Sequence, residues 1–162
     1  MIKDAENTTS VTEQTLAVDT TTVDTTEENT PAPATLPKNY LVGGYYATTA
    51  KGAKYLRPEF VDEYARNIAA SLNEMKPSDF AAMLRDLKRA KKSTLPFEAR
   101  KTAAAELLPR AIGLVHKKKA PSILTEFIKT NLAAIKTDDD WSAFYRHMNA
   151  INGYLVLNTA DK

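Results

Sequence analysis

The amino-acid sequence predicts an all-α protein, a compact bundle of about five helices preceded by a disordered, acidic N-terminal tail. From Phe60 almost to the end of the chain, apolar residues recur at steps of three and four, which is the period of helices that bury one face. The first 37 residues contain no aromatic side chain, so they offer too little apolar surface to offset the entropy of ordering. The 162 residues include no cysteine and no long apolar run, so we expect a soluble cytoplasmic protein without disulfides, zinc fingers or a membrane helix.

The composition divides the chain into a tail at 1–37, a joining segment at 38–57 and a helical domain at 58–158. The tail has seven acidic side chains against one basic, a net charge of −6, whereas the remainder has a net charge of +8. This asymmetry points toward a polyanionic partner, but charge alone favours an ordinary solubility-enhancing tail on a lysine-rich surface. In the joining segment, Gly43 and Gly44 permit a two-residue hairpin turn, but irregular chain lying along the domain is the favoured interpretation.

Two helices open the helical domain. Pro58 suits the first turn of a helix whose apolar face extends from Phe60 to Met75. A break at 76–78, which includes a proline, ends this helix. The second helix then continues to about Lys92, and its apolar residues share one face: Phe80, Met83, Leu84 and Leu87.

Three more helices complete the predicted bundle. The third is expected to begin at a hydroxyl cap near 93–94, with Pro96 in its first turn. Pro109 should kink or interrupt it, because proline lacks an N–H donor and clashes with the preceding turn. The fourth opens at Pro121, after a basic loop. Thr137, followed by three aspartates, predicts the start of the fifth, since a hydroxyl caps the helix and carboxylates stabilise its positive end.

No catalytic or metal-binding constellation is recognisable, so we expect no enzyme activity, no catalytic residue, no metal and no cofactor. The two histidines, His116 and His147, have no partner at metal-ligand spacing and are expected at the surface or as helix caps. Ser142 and Tyr145 lie near His147, yet no carboxylate is spaced to orient the imidazole. The three aspartates at 138–140 are better explained by capping than by magnesium binding, because consecutive side chains point in different directions.

Cations and anions separate on the second helix. With about 100° per residue and Phe80 at zero, the core direction is near 350° and four basic residues occupy roughly 80° to 180°. Asp79 and Asp86 lie on the other flank. Like charges at these spacings cost a few tenths of a kcal/mol per pair, so the arrangement favours binding to closely spaced phosphates. The alternative is an ordinary solvated face. We call these four residues the basic stripe: Arg85, Lys88, Arg89 and Lys92.

Six further cations are candidates to extend the RNA-contacting area. They follow the stripe in sequence, and whether they share its face depends on the fold. These residues are Arg100, Lys101, Arg110, Lys117, Lys118 and Lys119.

About 100 residues of the chain resemble the small subunit of type III-A CRISPR effector complexes, the Csm small-subunit family. No single block is diagnostic, but the order and spacing of four blocks make the resemblance fairly specific, and the tail is not covered. The blocks are 60–65 leading into 75–78, the basic helix at 84–90, residues 107–111, and 135–144 followed by 150–154.

The chain departs from the family pattern in two places. The family commonly has an Arg-Lys pair at the start of its second helix, and Ala81 and Ala82 stand at those positions. The basic stripe then becomes the substitute for that RNA contact. Leu155 and Val156 stand where the family often has histidine and lysine, so an RNA role is not transferred to the C-terminus.

The resemblance implies a non-catalytic, RNA-binding subunit of a ribonucleoprotein that acts in antiviral defence. Several copies would stack head to tail beside other subunits and contact the backbone of the guide–target RNA duplex. Three alternatives remain open: the small subunit of the related type III-B complex, a helical adaptor that binds an acidic protein, and an enzyme that uses Tyr145 and His147. The last would require those side chains to converge in a pocket.

Overall fold

The computed structural model describes residues 35–92 and 94–160. In this part of the chain, six α-helices and one 3₁₀ helix accompany a small antiparallel sheet, which confirms the predicted all-α class. The helix count agrees with about five if α3 and α4, which only Glu106 separates, are taken as one interrupted helix. The elements are β1 Tyr46–Thr48, β2 Lys54–Leu56, a 3₁₀ helix Pro58–Phe60, α1 Glu63–Ser71, α2 Pro77–Lys92, α3 Phe97–Ala105, α4 Leu107–His116, α5 Ile123–Ala134 and α6 Asp138–Ala160.

The segment between the tail and the helices is not irregular throughout, and this corrects the prediction for 38–57. β1 and β2 form a hairpin in which Tyr46 is opposite Leu56. The hairpin turn lies at 49–53, where Thr49 accepts the backbone N–H of Gly52, and not at Gly43 and Gly44. Residues 1–34, most of the predicted disordered tail, lie outside the described residues, whereas Leu36 packs against the core.

The first predicted helix is shorter than its apolar pattern. A 3₁₀ turn follows Pro58, and α1 begins only at Glu63 and ends at Ser71. Leu72 and Met75 are nevertheless buried, because the turn after α1 continues across the same core. The apolar period therefore located the buried residues correctly while overestimating the length of regular helix.

Prolines lie at the start and at the interruption of the predicted third helix. The helix starts at Phe97 with Pro96 at its N-cap, rather than at a hydroxyl cap near 93–94, of which Ser93 lies outside the described residues. The predicted helix is interrupted just before Pro109, which was one of the two expected outcomes. The chain breaks at Glu106, so Pro109 falls in the first turn of α4, where its missing N–H leaves no helical bond unmade.

The start of α6 has the predicted cap. The Thr137 hydroxyl accepts the backbone N–H of Asp140 at 3.2 Å, and the Asp140 carboxylate accepts the backbone N–H of Thr137 at 2.9 Å. This reciprocal pair satisfies donors that no helical carbonyl can reach. It fixes the point at which the long central helix enters the bundle.

The core surrounds α6, which packs against α1, α2 and α3. Its buried face bears the largest side chain of the molecule, Trp141, whose Nε1 donates to the backbone carbonyl of Arg100 at 2.9 Å. Among the described residues, every helix is too short or too polar to span a lipid bilayer. The buried residues of α6 are Trp141, Ala143, Phe144, His147, Met148, Ile151 and Leu155.

A group of polar side chains lies inside this apolar core. The Tyr45 hydroxyl donates to Asn131 Oδ1 at 2.7 Å, and Asn131 Nδ2 approaches the Tyr40 oxygen at 2.9 Å and the backbone carbonyl of Phe127 at 2.7 Å. The Tyr40 hydroxyl also lies 2.8 Å from His147 Nε2. We call Tyr40, Tyr45, Asn131 and His147 the buried polar cluster; it joins the segment before the hairpin to α5 and α6.

Proton positions in the buried polar cluster follow from its fixed acceptors. The carbonyl of Phe60 can only accept, so His147 Nδ1 bears the proton and donates to it. Burial lowers the pKa of His147 to about 4, so the ring is neutral at pH 7 and Nε2 accepts from Tyr40. The Tyr40 oxygen then accepts from Asn131, and every polar atom of the cluster has a partner. His147 is therefore a core residue, which corrects its predicted surface or capping role.

Candidate nucleic-acid interface

The second helix presents the basic stripe to solvent because its opposite face is fixed in the core. Phe80, Met83 and Leu87 are fully buried and Leu84 is nearly so, as the apolar period predicts. This anchoring leaves the flank about 100° away from the core direction exposed. Helix α2 runs without interruption through this region, so the spacing of the four cations is that of a regular helix.

The four stripe residues converge on one surface depression of about 300 Å³. All four side chains are exposed, and Arg89 keeps 81% of its side-chain surface accessible. A concave surface lined by like charges concentrates anions more strongly than the same charges spread over a flat face. Of the residues that the structure describes, those that line the depression are all basic: Arg85, Lys88, Arg89 and Lys92.

Three of these four charges have no counterion within the described part of the chain. Only Arg89 forms an ion pair, with Asp86 one helical turn earlier at 3.5 Å. Such an exposed pair contributes little stability and exchanges readily for another anion. Arg85, Lys88 and Lys92 thus remain available to bind phosphate groups.

Arg110 lies on the anionic flank of the stripe helix and does not extend the stripe. Its guanidinium pairs with the Asp86 carboxylate, which links α4 to α2. Asp86 therefore neutralises part of two arginines at once. Arg110 therefore lies near the stripe, but its guanidinium contributes to the contact between α2 and α4.

Arg100 also has a structural role, in contrast to its predicted RNA contact. Its side chain is only 18% exposed, pairs with Asp138 at the start of α6 and lies 5.7 Å from the ring centre of Trp141. Lys101, the next residue, is half-buried, with its Nζ 5.9 Å from the ring centre of Phe97. Neither residue lines the depression formed by the stripe.

Lys117, Lys118 and Lys119 are exposed in the turn between α4 and α5, as expected for a basic loop. Lys118 has a left-handed backbone, with φ of 53°, and the N–H groups of Lys118 and Lys119 bond to carbonyls of the last turn of α4. None of the contacts in the described part of the chain joins this turn to the stripe. It is a separate basic surface.

Lys91 was missed because the helical wheel places it in the core sector. At the C-terminal end of α2 its stem extends across α6, and its Nζ lies 4.5 Å from the ring centre of Tyr145. Tyr145 in turn stacks on Trp141 with parallel rings. A lysine among core positions near a helix end was the sequence signal for such a contact.

The residues considered for an enzyme site do not come together. Tyr145 contacts Lys91 and Trp141, whereas His147 faces Tyr40 and Phe60. The exposed His116 ends α4. Within the described residues, no group of three or more histidine, aspartate or glutamate side chains is arranged to hold a metal ion.

Comparison of the chain with protein-family models, with curated proteins and with solved structures yields no match.

Proposed function

We propose that this chain is a non-catalytic RNA-binding subunit of a type III-A CRISPR ribonucleoprotein. It binds the guide–target duplex through phosphates and stacks head to tail with copies of itself beside the larger subunits. The observation that supports RNA binding is the convergence of four exposed cations on one depression of α2, three of them without a counterion among residues 35–92 and 94–160. The sequence resemblance supplies the identity of the assembly.

Phosphate recognition fits the chemistry of the stripe. Arginine and lysine bind phosphate oxygens without reading base identity, and the stripe contains no aromatic side chain on which a base could stack. Sequence would be read by guide–target pairing, so this subunit needs only to recognise backbone and shape. Binding is therefore expected to be insensitive to RNA sequence and to divalent metal, and the RNA is left uncut.

The decisive variant replaces Arg85, Lys88, Arg89 and Lys92 together with alanine. Affinity for RNA should fall at every salt concentration, and each lost contact should reduce the slope of log affinity against log salt by roughly 0.7 to 1. The thermal melt should change little, because alanine favours helix and repulsion is relieved. Lys88→Ala paired with Lys129→Ala on α5 gives a matched comparison: the same charge is removed from an exposed helical site inside or outside the stripe.

Two results would contradict the proposal. One is a folded quadruple variant with undiminished affinity and an unchanged salt slope, which would move the search to the turn at 117–119. The other is saturable binding of an acidic protein in place of RNA, as an adaptor would show. Co-purification with a tagged copy tests the assembly separately, since it should recover guide RNA and larger subunits.

A further inference from the structure

The β-hairpin presents an aromatic side chain to solvent on the face turned away from the bundle. Residues opposite each other in an antiparallel pair share a face, so Tyr46 and Leu56 lie on one side while Ala47 and Tyr55 lie on the other. The Tyr46 hydroxyl donates to the backbone carbonyl of Asp139 at 2.9 Å, so the hairpin face that bears Tyr46 is turned toward α6. Tyr55 is 46% exposed and has no hydrogen bond or ring contact with any described residue.

The hairpin carries cations and no acid of its own, but its register places Lys54 on the face of Tyr46, opposite Tyr55, where Asp139 of α6 pairs with it. Segment 45–57 contains three cations and no acid. Lys51 lies exposed in the hairpin turn, and Lys54 keeps 51% of its side-chain surface accessible while its Nζ rests 4.4 Å from the ring centre of Tyr46 and 3.4 Å from an Asp139 oxygen. The third cation, Arg57, is held by the carbonyls of 42 and 44 and serves to anchor the hairpin.

The hairpin and the C-terminal end of α2 both contact the N-terminal half of α6. The hairpin bonds to Asp139 in its first turn, and Lys91, next to the last stripe residue, lies over Tyr145 six residues later. At 1.5 Å per residue these contacts are about 9 Å apart along the helix axis. The charges of Asp139, Arg146 and Asp140 all act on the Tyr46 hydroxyl, so the charge at this part of α6 is of mixed sign.

We propose that the hairpin binds an unpaired nucleotide next to the duplex, with its base stacked on Tyr55 and a flanking phosphate at Lys51. This inference rests on the proposed function, because it extends the same RNA path beyond the stripe. Bases within a duplex are already stacked on their neighbours, so an exposed ring can take only a base that is free. Adjacent aromatic and basic side chains are the combination that binds single-stranded nucleic acid, and the stripe has only the second of these.

The test compares two RNA probes, a blunt duplex and the same duplex with a single-stranded extension. Tyr55→Ala should weaken binding of the extended duplex by about 5- to 150-fold, the range expected for loss of one stacked base. Tyr55→Phe keeps the ring and should bind like wild type. Affinity for the blunt duplex should be the same for all three proteins.

Folding is controlled within the same experiment. Val42→Ala removes another exposed apolar side chain from the segment before the hairpin and should leave both affinities unchanged. Tyr55→Thr is a second substitution that favours the strand and should reproduce the loss if the alanine variant melts early.

Failure of this inference is distinguishable from failure of the proposed function. If wild type binds both probes and Tyr55→Ala loses nothing on the extended one, the hairpin site is refuted while the stripe stands. If wild type binds neither probe, the RNA function itself is refuted. Equal losses for Tyr55→Ala and Tyr55→Phe would exclude stacking, and a Tyr55-dependent interaction with polyglutamate instead of RNA would assign the hairpin to an acidic protein.

Discussion

Replacing Tyr40 with phenylalanine isolates the buried polar cluster from the packing around it. The ring stays in place among Phe60, Tyr64 and Phe127, whose ring centres lie 5.6 to 6.3 Å away, so no cavity forms beyond the missing oxygen. Removal of the Tyr40 hydroxyl leaves two atoms without partners: His147 Nε2 loses its donor at 2.8 Å, and one N–H of Asn131 loses its acceptor at 2.9 Å.

The expected cost follows from those two atoms. A buried polar group left unsatisfied costs about 1–3 kcal/mol, so Tyr40→Phe should lower the free energy of unfolding by about 2–6 kcal/mol. Tyr45→Phe removes the donor to Asn131 Oδ1 alone and should cost about 1–3 kcal/mol. Tyr64→Phe is the control, because Tyr64 is similarly buried but its hydroxyl forms no hydrogen bond with a described residue; its cost should be near zero.

Urea denaturation followed by circular dichroism measures all three variants. The denaturant dependence should remain that of wild type, so that the shift in midpoint reports stability alone. The order Tyr40→Phe, Tyr45→Phe, Tyr64→Phe, from largest to smallest loss, is the prediction. A Tyr40→Phe variant as stable as Tyr64→Phe would show that the cluster contributes nothing and that the assigned proton positions are wrong.

Three further outcomes are expected. His147 has a pKa of 6.5 in the unfolded chain and about 4 in the folded protein, so the unfolded chain takes up a proton first as pH falls. Wild type should therefore lose about 3 kcal/mol of unfolding free energy between pH 6.5 and pH 4. Urea titrations across that range should show this loss in wild type and not in His147→Gln. Thr137→Ala should lower stability by about 0.5–2 kcal/mol while Thr137→Ser keeps the cap, as thermal melts would show. Asp86→Asn removes the carboxylate that pairs with Arg89 and Arg110, so it should strengthen RNA binding, most at low salt. An affinity equal to that of wild type at low salt would count against phosphate binding near these arginines.

The local sequence pattern was sufficient to predict the exposure of the basic stripe, but not the contacts of the other nearby cations. The apolar period fixes which side of α2 is buried, and the exposure of Arg85 and Lys88 follows from that alone. Arg100 and Arg110 look equally basic in sequence. Their charges are taken by carboxylates 38 and 24 residues away, and only the folded chain brings those partners into contact.

The same distinction applies to the buried polar cluster. His147 lies three residues after Phe144 and one before Met148, so the helical period already places it on the buried face of α6. Its partner Tyr40 stands in a segment without helical period, and no local rule pairs residues so far apart. The hairpin was likewise not expected, because irregular chain was favoured for this segment. Gly43 and Gly44 resemble a two-residue turn, but the chain uses both glycines, with φ of 79° and 77°, to enter the first strand.

The bond between Tyr40 and His147 spans 107 residues, so it also sets the order in which a growing polypeptide acquires its structure. During translation the helices α1 to α4 can form local contacts early, whereas the hydroxyls of Tyr40 and Tyr45 lack their hydrogen-bond partners until α5 and α6 leave the ribosome. Contacts of such long sequence separation form late, because closing a long loop costs conformational entropy before the contact can stabilise the chain. A nascent chain that stalls before α6 therefore exposes an aromatic surface, and completion of the last helix is the event that closes the fold.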